Sequence, residues 1–215
     1  MTPIVSIVGR SKSGKTRLLE RLISELTTRG YRVATVKHTP HGIDFDPDKD
    51  SSRHLEAGSQ AAIAVSRDQL VLLKPRSPET ALEEIIRLFG EDYDIILTEG
   101  FKHEDAPKIE VHRREVGPPL SNIKKLVAIV TDEPLETSVR QFAFDDIRGL
   151  ASFIENGFIK PQPERLAIYV NNIPLSLGSF PREFVTNVLL AMVSSLKGVS
   201  QIESLDIHLR RRRAR

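Results

Sequence analysis

Apolar and polar positions along the first 37 residues predict a strand, a loop, a helix and a second strand. Ile4–Val8 is a continuous, β-branched apolar run, which is typical of a buried strand. From Lys15 to Thr28 the apolar residues recur three or four positions apart and so occupy one face of a helix, which Gly30 ends. Residues 31–37 form the next apolar run. Two such strands joined by a helix make a parallel, right-handed βαβ unit.

The same pattern extends this unit into a larger domain over residues 1–160. Further strands are predicted at 60–66, 70–74, 93–98, 108–112 and 126–130, and helices at 50–57, 78–89 and 144–155. Strands that alternate with helices indicate an α/β fold with a doubly wound, mainly parallel sheet. The polar segment 38–58 is long for a plain connection, and long loops in compact domains are often functional.

Residues 161–215 predict a small second region of α+β type. The sequence KPQPE at 160–164 changes the composition and is a candidate linker. Two short apolar runs then flank Asn171 and Asn172, which is a hairpin signal, and a helix at 184–196 and an alternating strand at 202–209 complete a β-β-α-β pattern. The helix is apolar on more than one face, so it needs cover from the main domain, a second copy or a partner protein.

Charge is unevenly distributed along the chain. The net charge is +2, but five arginines lie in the last six residues, and the remaining 26 basic residues are outnumbered by 29 acidic ones. We therefore expect no nucleic-acid surface on the body. The arginine tail either binds a phosphate or an acidic partner or, in the interpretation that we prefer, is a solvated end of the chain. Without cysteine the chain has no disulfide or thiolate site, and without an apolar run of about 18 residues we expect a cytoplasmic protein that does not enter a membrane.

The segment 9–16, GRSKSGKT, matches the phosphate-binding pattern G-x-x-x-x-G-K-[ST] between a predicted strand and a predicted helix. Its glycines permit turns that aim several N–H groups at the helix N-terminus, where anions are favoured. Lys15 would contact the β- and γ-phosphates of a nucleotide, and the Thr16 hydroxyl would bind Mg²⁺. The loop residues assigned to nucleotide binding are Gly9, Ser11, Lys12, Ser13, Gly14, Lys15 and Thr16.

Two acidic residues at strand ends would complete a nucleotide site. Glu99 follows the predicted strand 93–98, where P-loop proteins need an acid for the metal, and the N–H of Gly100 would approach the γ-phosphate. A glutamate in place of the usual aspartate leaves open whether it binds Mg²⁺, orients a water or only caps the strand. Asp132 follows the strand Leu126–Val130 and could accept from the N1–H and N2–H₂ groups of guanine, which adenine does not offer. The usual Asn-Lys-x-Asp motif is absent, so guanine is favoured over adenine, while a plain turn aspartate stays open.

Five segments together resemble the MobB family, the adaptor proteins of molybdopterin-guanine dinucleotide biosynthesis. They span roughly residues 3–157 in family order, and they are GRSKSGKT (9–16), VKHTPHGIDFDPDKDSSRHLEAG (36–58), LTEGFK (97–102), PKIEVHR (107–113) and IVTD (129–132). The second segment is far more specific than a P-loop alone, although Asp48 stands where the family usually has glycine. The region 161–215 is not part of the minimal family core.

The resemblance implies a P-loop NTPase fold, a homodimer, GTP binding with Mg²⁺ and at most weak hydrolysis. It also implies a partner, the guanylyltransferase that joins GMP to molybdopterin. The catalytic roles would belong to Lys15 and Glu99, with Thr16 and Glu99 at the metal. In one dimeric branch of P-loop proteins a lysine near the start of the loop reaches the partner's nucleotide, and Arg10 occupies that position here; the alternative is a solvated loop arginine.

The resemblance also implies a second site next to the nucleotide, which would bind the molybdopterin cofactor. The candidates for it are Lys37, His38, His41, Asp50, Ser51, Arg53, His54, Lys102 and Lys108. The basic residues among them form a cationic set on loops, and the cofactor is anionic. Ligands of open α/β sheets bind beyond the carboxyl ends of the strands. The alternatives for the histidines are solvated loop residues, residues that form structural hydrogen bonds, or a zinc site built from His38, His41, His54 and an aspartate.

Two other functions stay open from the sequence. A P-loop small-molecule kinase shares this architecture and needs arginines near its acceptor, a role that Arg113 and Arg114 could serve. A metal-insertion GTPase would need a His-rich or Cys-His loop, whereas this chain has no cysteine and six histidines.

Overall fold

The computed structural model describes residues 2–39, 49–77, 82–90, 92–161, 166–171 and 173–209, and a parallel sheet organises most of them. In chain order the first eight strands are β1 Ile4–Val8, β2 Val33–Lys37, β3 Ala62–Val65, β4 Leu70–Leu73, β5 Ile95–Glu99, β6 Lys108–Val111, β7 Leu126–Val130 and β8 Arg140–Phe142. Six of them form one sheet in the order β2-β5-β1-β6-β7-β8, with every neighbouring pair parallel. Strands β3 and β4 pair separately as an antiparallel ribbon.

In the described part of the chain up to residue 161, four helices accompany these strands. They are α1 Lys15–Thr28, α2 Lys49–Glu56, α3 Leu82–Ile86 and α4 Ile147–Ile154. A 3₁₀ turn extends α3 over Arg87–Phe89, and a wider π-helical turn extends α4 over Glu155–Ile159. No helix in the described part of the chain combines the length and the apolar character needed to span a bilayer.

Apolar side chains pack on both faces of the sheet, which confirms the predicted doubly wound α/β fold. Ile95 and Leu97 of β5 belong to a core cluster with α1 and α4, whereas Ile96 belongs to a second cluster with α3. Successive side chains of a strand point to opposite faces, so the two clusters lie on opposite sides of the sheet. The helix α1 buries Leu18, Leu19, Leu22 and Leu26, the face that the sequence pattern indicated.

The structure corrects some of the predicted elements. Strand β8 was missed because its three residues, Arg-Gln-Phe, carry no apolar run; it forms by parallel pairing with β7. The predicted strand at 202–209 is wrong, because the structure gives those residues no strand. The described part of the helix predicted at 78–89 begins at Leu82, and residues 78–81 lie outside the described residues.

The chain divides into two units, Thr2–Pro163 and Glu164–Arg215, and the division falls inside the segment that we interpreted as a linker. The second unit contains a short antiparallel pair, β9 Tyr169–Val170 and β10 Ile173–Pro174, followed by α5 Ser179–Ser194. Unlike α1, the helix α5 has no buried residue. Its exposed large side chains recur every fourth position and continue just past its end, and they are Phe180, Phe184, Val188, Met192 and Leu196.

Candidate nucleotide-binding site

The loop between β1 and α1 has the backbone of a phosphate-binding turn. Gly9, with φ +153°, could not be replaced without a clash, because an added Cβ would lie 2.4 Å from the carbonyl oxygen of Val111 and 2.8 Å from Ser13 Oγ. Gly14 is left-handed, with φ 94° and ψ 17°, and immediately precedes α1. Both glycines of the motif are therefore required by geometry, one by close approach and one by backbone conformation.

Lys15 folds back over this loop. Its Nζ donates to the carbonyl oxygens of Gly9, at 3.1 Å, and of Arg10, at 2.7 Å. Burial lowers the pKa of Lys15 below its ordinary value; Glu99 opposes that shift and Lys37 adds to it. The ammonium group is thus partly withdrawn from water and held at the turn of the loop.

Thr16, Glu99 and Lys37 meet at the carboxyl edge of the sheet. The Thr16 hydroxyl lies 3.0 Å from both carboxylate oxygens of Glu99, and Lys37 Nζ lies 3.6 Å from Glu99 Oε2. The parallel register explains the meeting, because Glu99 is level with Ile7 of β1 and with Lys37 of β2. A hydroxyl and a carboxylate are the hard oxygen ligands that Mg²⁺ prefers, so this pair fits the metal that the sequence predicted.

The loop after β5 is held by its own contacts. Gly100, at φ +99°, donates its N–H to the carbonyl oxygen of Ile7 at 3.0 Å, so in this structure that group does not face a γ-phosphate as the sequence suggested. His38 donates its backbone N–H to the carbonyl oxygen of Glu99 at 3.0 Å. The ring of His38 packs edge-on against Phe101, with the centroids 5.3 Å apart.

Asp132 lies on the other side of the loop, after β7, and it is already engaged. Its Oδ1 accepts from the backbone N–H of Arg114 at 3.0 Å, and its Oδ2 lies 3.5 Å from Arg113 Nη1. The guanidinium of Arg113 in turn lies over the ring of Phe144, with Cζ 4.0 Å from the ring centroid. Three loops, after β6, β7 and β8, therefore meet through these side chains.

Two buried polar residues, one at the start of β6 and one just after its end, hold the segments on either side of this strand. Lys108 is fully buried and its Nζ donates to the carbonyl oxygens of Glu104 and, at 2.8 Å, of Ala106. Burial lowers the pKa of Lys108 below its ordinary value. His112 is also buried, and its Nε2 lies 2.9 Å from Glu133 Oε1.

This placement corrects the expectation for Lys108. The residue starts β6, whereas Lys37 and Glu99 end their strands, so it does not share their end of a strand. Because its ammonium group is enclosed by backbone carbonyls, Lys108 supports the protein fold and is not part of an exposed cationic set.

A narrow cleft beside the phosphate loop contains two unsatisfied oxygens. Among the described residues, Ser13 Oγ and Glu110 Oε2 are the buried side-chain atoms without a hydrogen-bond partner, and both residues line this cleft. Glu110 Oε1 accepts from the N–H of Leu120 at 2.6 Å. Burial raises the pKa of Glu110 above its ordinary value, against the effects of that hydrogen bond, of His112 and of Arg10.

The remaining candidates are only partly brought together. Arg10 Nε donates to the carbonyl oxygen of Pro118 of the same chain at 2.8 Å. Lys102 is exposed on the loop after β5, while Arg53 and His54 are exposed on α2, which packs against β3. Asp50 and Ser51 also belong to α2, and Ser51 is buried. His41 lies outside the described residues, and among those described no three His, Asp or Glu side chains are grouped to hold a metal ion.

Sequence reasoning missed Phe144 and gave Arg113 no part in nucleotide binding. A signal was available, since both residues follow closely after strands of a parallel sheet, where the ligands of such sheets bind. The signal is weak for Phe144 because β8 has no strand pattern, whereas Arg113 follows β6, a strand that the sequence predicted.

Comparison with known proteins places the chain among a defined set of relatives. A family model described as "Molybdopterin guanine dinucleotide synthesis protein B" matches residues 4–132. The "Molybdopterin-guanine dinucleotide biosynthesis adapter protein" of Haemophilus influenzae is 39% identical over 157 residues, which is 72% of this chain and 88% of that protein. The protein of the same description from Escherichia coli is 35% identical over 161 residues, 72% of this chain and 92% of its own length.

Solved structures give the same result for the fold. A crystal structure of "molybdopterin-guanine biosynthesis protein B" is 30% identical, has a TM-score of 0.58, and covers 71% of this chain and 98% of its own. The structure of MobB from Bacillus subtilis is 25% identical with a TM-score of 0.58, covering 73% and 98%. Each of these matches leaves more than a quarter of the present chain without a counterpart.

Proposed function

The chain belongs to the molybdopterin guanine dinucleotide synthesis protein B family, and from this premise we propose that it is a GTP-binding adaptor of molybdenum cofactor biosynthesis. In this role it assists the conversion of the molybdopterin cofactor to its guanine dinucleotide form. Its partner is the guanylyltransferase that joins GMP to molybdopterin, it works in the cytoplasm, and it hydrolyses GTP weakly at most. The observation that carries the proposal is the meeting of the phosphate loop, the Thr16–Glu99 pair and Asp132 along one edge of the sheet.

The loop and its lysine would hold the phosphates. Lys15 Nζ is at present bound by two carbonyl oxygens of the loop, and a triphosphate would offer it stronger, charged acceptors. Thr16 and Glu99 would hold Mg²⁺, which supplies charge neutralisation for the β- and γ-phosphates. Lys37, which lies beside Glu99, would add positive charge at the same end.

Asp132 would select guanine. Each carboxylate oxygen has two acceptor positions, so the contacts from Arg114 and Arg113 leave capacity for the N1–H and N2–H₂ groups of the base. These contacts also orient the carboxylate, which reduces the entropy lost when a base binds.

The antiparallel ribbon supports the proposed homodimer. Its cross-strand pairs Ile63–Leu72 and Val65–Leu70 place four aliphatic side chains on one face, and all four are exposed in the single chain. A ribbon face of this kind is expected to be covered by another protein surface, and a second copy of the same chain would cover it symmetrically. The role of Arg10 across that dimer stays a prediction, and it would require the contact with Pro118 to open.

The anionic molybdopterin cofactor would bind next to the nucleotide. Lys37, His38 and Lys102 support this proposal, because Lys37 ends β2, His38 follows it, and Lys102 lies on the loop after the neighbouring strand β5. Arg53 and His54 would join them only if α2 approaches this edge when the ligand binds.

A titration tests the proposal. GTP, ATP and the molybdopterin cofactor are each titrated into the full chain by calorimetry with Mg²⁺, with and without the guanylyltransferase. We expect GTP to bind more tightly than ATP and the transferase to form a complex with the chain. Equal binding of GTP and ATP would contradict the role of Asp132, and absence of any complex with the transferase would contradict the adaptor role.

A further inference from the structure

Arg113 holds a flat guanidinium group in a defined plane beside the phosphate loop. Its Cζ lies 4.0 Å from the centroid of the Phe144 ring, and its Nη1 lies 3.5 Å from Asp132 Oδ2. Phe144 is held in turn, because its carbonyl oxygen accepts from Arg21 Nη1 of α1 at 2.7 Å. The plane of Arg113 is thus supported from below by a ring and from the side by a carboxylate.

This pair borders the end of the phosphate loop. A Cβ built on Gly14 would lie 3.5 Å from Arg113 Nε and 3.7 Å from Phe144 Cε1. Gly14 immediately precedes Lys15, the residue that would contact the phosphates. Arg113 and Phe144 are therefore neighbours of a bound nucleotide, whichever part of it they touch.

The strand order decides which part that is. Glu99 and Lys37, which would surround the metal and the terminal phosphate, end β5 and β2 on one side of β1. Arg113, Asp132 and Phe144 follow β6, β7 and β8 on the other side. A nucleotide whose terminal phosphate lies at Glu99 must extend its base toward β6, β7 and β8, where Arg113 lies.

Building on the proposed GTP binding, we propose that Arg113 is the surface on which the nucleobase stacks. One face of its guanidinium rests on Phe144, the other receives the base, and Asp132 reads the edge of the base. Guanidinium planes stack on aromatic rings and on nucleobases. The Arg113 side chain is 30% exposed, so part of it is accessible although the ring lies beneath it.

Stacking and base reading are then separate tasks. Every base has a π-face, so a stacking surface contributes to affinity without selecting a base. Arg113 should therefore support GTP and ATP alike, while Asp132 should affect only the preference between them. If Arg113 instead contacted a phosphate, its replacement would weaken GTP and a base-free polyphosphate in the same proportion.

The test compares Arg113→Lys, which keeps the charge and loses the plane, with Arg17→Lys as a control of the same chemical change. Arg17 is an exposed arginine of α1 that has no part in the proposed base site. The affinities of GTP, ATP and inorganic tripolyphosphate, which has no base, are measured with Mg²⁺ for the full chain and both variants. We expect Arg113→Lys to weaken both GTP and ATP, by about tenfold, and to leave tripolyphosphate binding unchanged. Arg17→Lys should leave all three affinities unchanged.

The outcomes separate this inference from the function on which it rests. If the unmodified chain binds GTP and Arg113→Lys either binds it equally well or loses GTP and tripolyphosphate in the same proportion, the stacking role is wrong and GTP binding stands. If the unmodified chain binds no GTP, both are wrong. Phe144→Leu gives a second measurement, because it should reduce the affinity for GTP and ATP in a protein that still binds tripolyphosphate. Unaltered nucleotide affinity would overturn the proposed stacking of the base on Arg113.

Discussion

The two sides of the sheet edge are built in different ways. The phosphate side, formed by the loop 9–16, depends on the backbone: two glycines in special conformations and a lysine bound to main-chain carbonyls. The base side, formed by Arg113, Asp132 and Phe144, depends on side chains that support one another across three loops. A motif of fixed spacing can encode the first kind of site, whereas the second kind requires residues distant in sequence to meet.

The largest expected effect is on the phosphate side. Lys15→Ala should reduce GTP affinity by at least about 100-fold, because a charge-assisted contact to the phosphates is worth roughly 3 kcal/mol or more. It should leave the fold intact, since the side chain bonds only loop carbonyls. GTP titration and thermal unfolding are measured together, with Arg17→Ala, an exposed change two residues further on α1, as the control. A folded Lys15→Ala protein with normal GTP affinity would show that the loop 9–16 does not bind the phosphates.

A smaller and more selective effect is expected on the base side. Asp132→Asn should weaken GTP by about tenfold, the typical value of one lost charged hydrogen bond, and should leave ATP unchanged. XTP should bind the variant better than it binds the unmodified chain, because xanthine carries a carbonyl where guanine has its amino group. The three affinities are compared in both proteins. If the variant keeps the full preference for GTP over XTP, the base is read elsewhere.

Glu110 lies between the two sides, in the cleft that it shares with Ser13, and here we expect an effect on stability. Burial raises the pKa of Glu110, so the folded protein favours the neutral carboxyl. The stability that the neutral carboxyl contributes is complete below the pKa of Glu110 in the unfolded chain. It is lost as the pH rises through the pKa of Glu110 in the folded protein. Glu110→Gln keeps an acceptor for Leu120 but cannot ionise. Its unfolding temperature should match that of the unmodified chain near pH 4 and exceed it by about 2–4 °C at pH 8, which corresponds to about 1 kcal/mol.

Thermal unfolding between pH 4 and pH 9 measures this difference. Glu20→Gln, an exposed carboxylate on α1, is the control and should give no change that depends on pH. Parallel curves for Glu110→Gln and the unmodified chain would show that Glu110 does not titrate differently in the folded protein.

The smallest effect on GTP should follow removal of the second unit. All the candidate nucleotide-binding residues belong to Thr2–Pro163. The matches to the two solved structures cover 71–73% of this chain but 98% of each of those chains. A chain that ends at Lys160 should therefore bind GTP within about twofold of the full protein. Loss of GTP binding by a truncated protein that stays folded would show that the second unit completes the site.

The same truncation tests the exposed row on α5. Five large apolar side chains in one row are unusual on a protein surface, so we expect the truncated and full chains to differ in solution mass or in binding to the guanylyltransferase. Identical mass, solubility and partner binding would show that the row contributes to neither.

Elements with local signals in the sequence could be predicted. An apolar strand, a glycine motif and a one-sided helix follow one another at the start of the chain, so β1, the phosphate loop and α1 were predictable, and the alternation of strands and helices gave the doubly wound sheet. Glu99 was predictable for the same reason, because it directly ends an apolar strand. The family followed from five short segments, which the matched relatives confirm.

Features that depend on strand pairing could not be predicted from local patterns. The sequence treated Lys37 and Lys108 alike as loop cations, whereas the register leaves Lys37 beside Glu99 and buries Lys108 among carbonyls. Nor could it show Arg113 lying on Phe144, because that contact needs β8, a strand with no apolar pattern that exists through its pairing with β7. Local patterns specify elements through backbone preference and burial, but the contacts between elements are set by which strands pair and in which register.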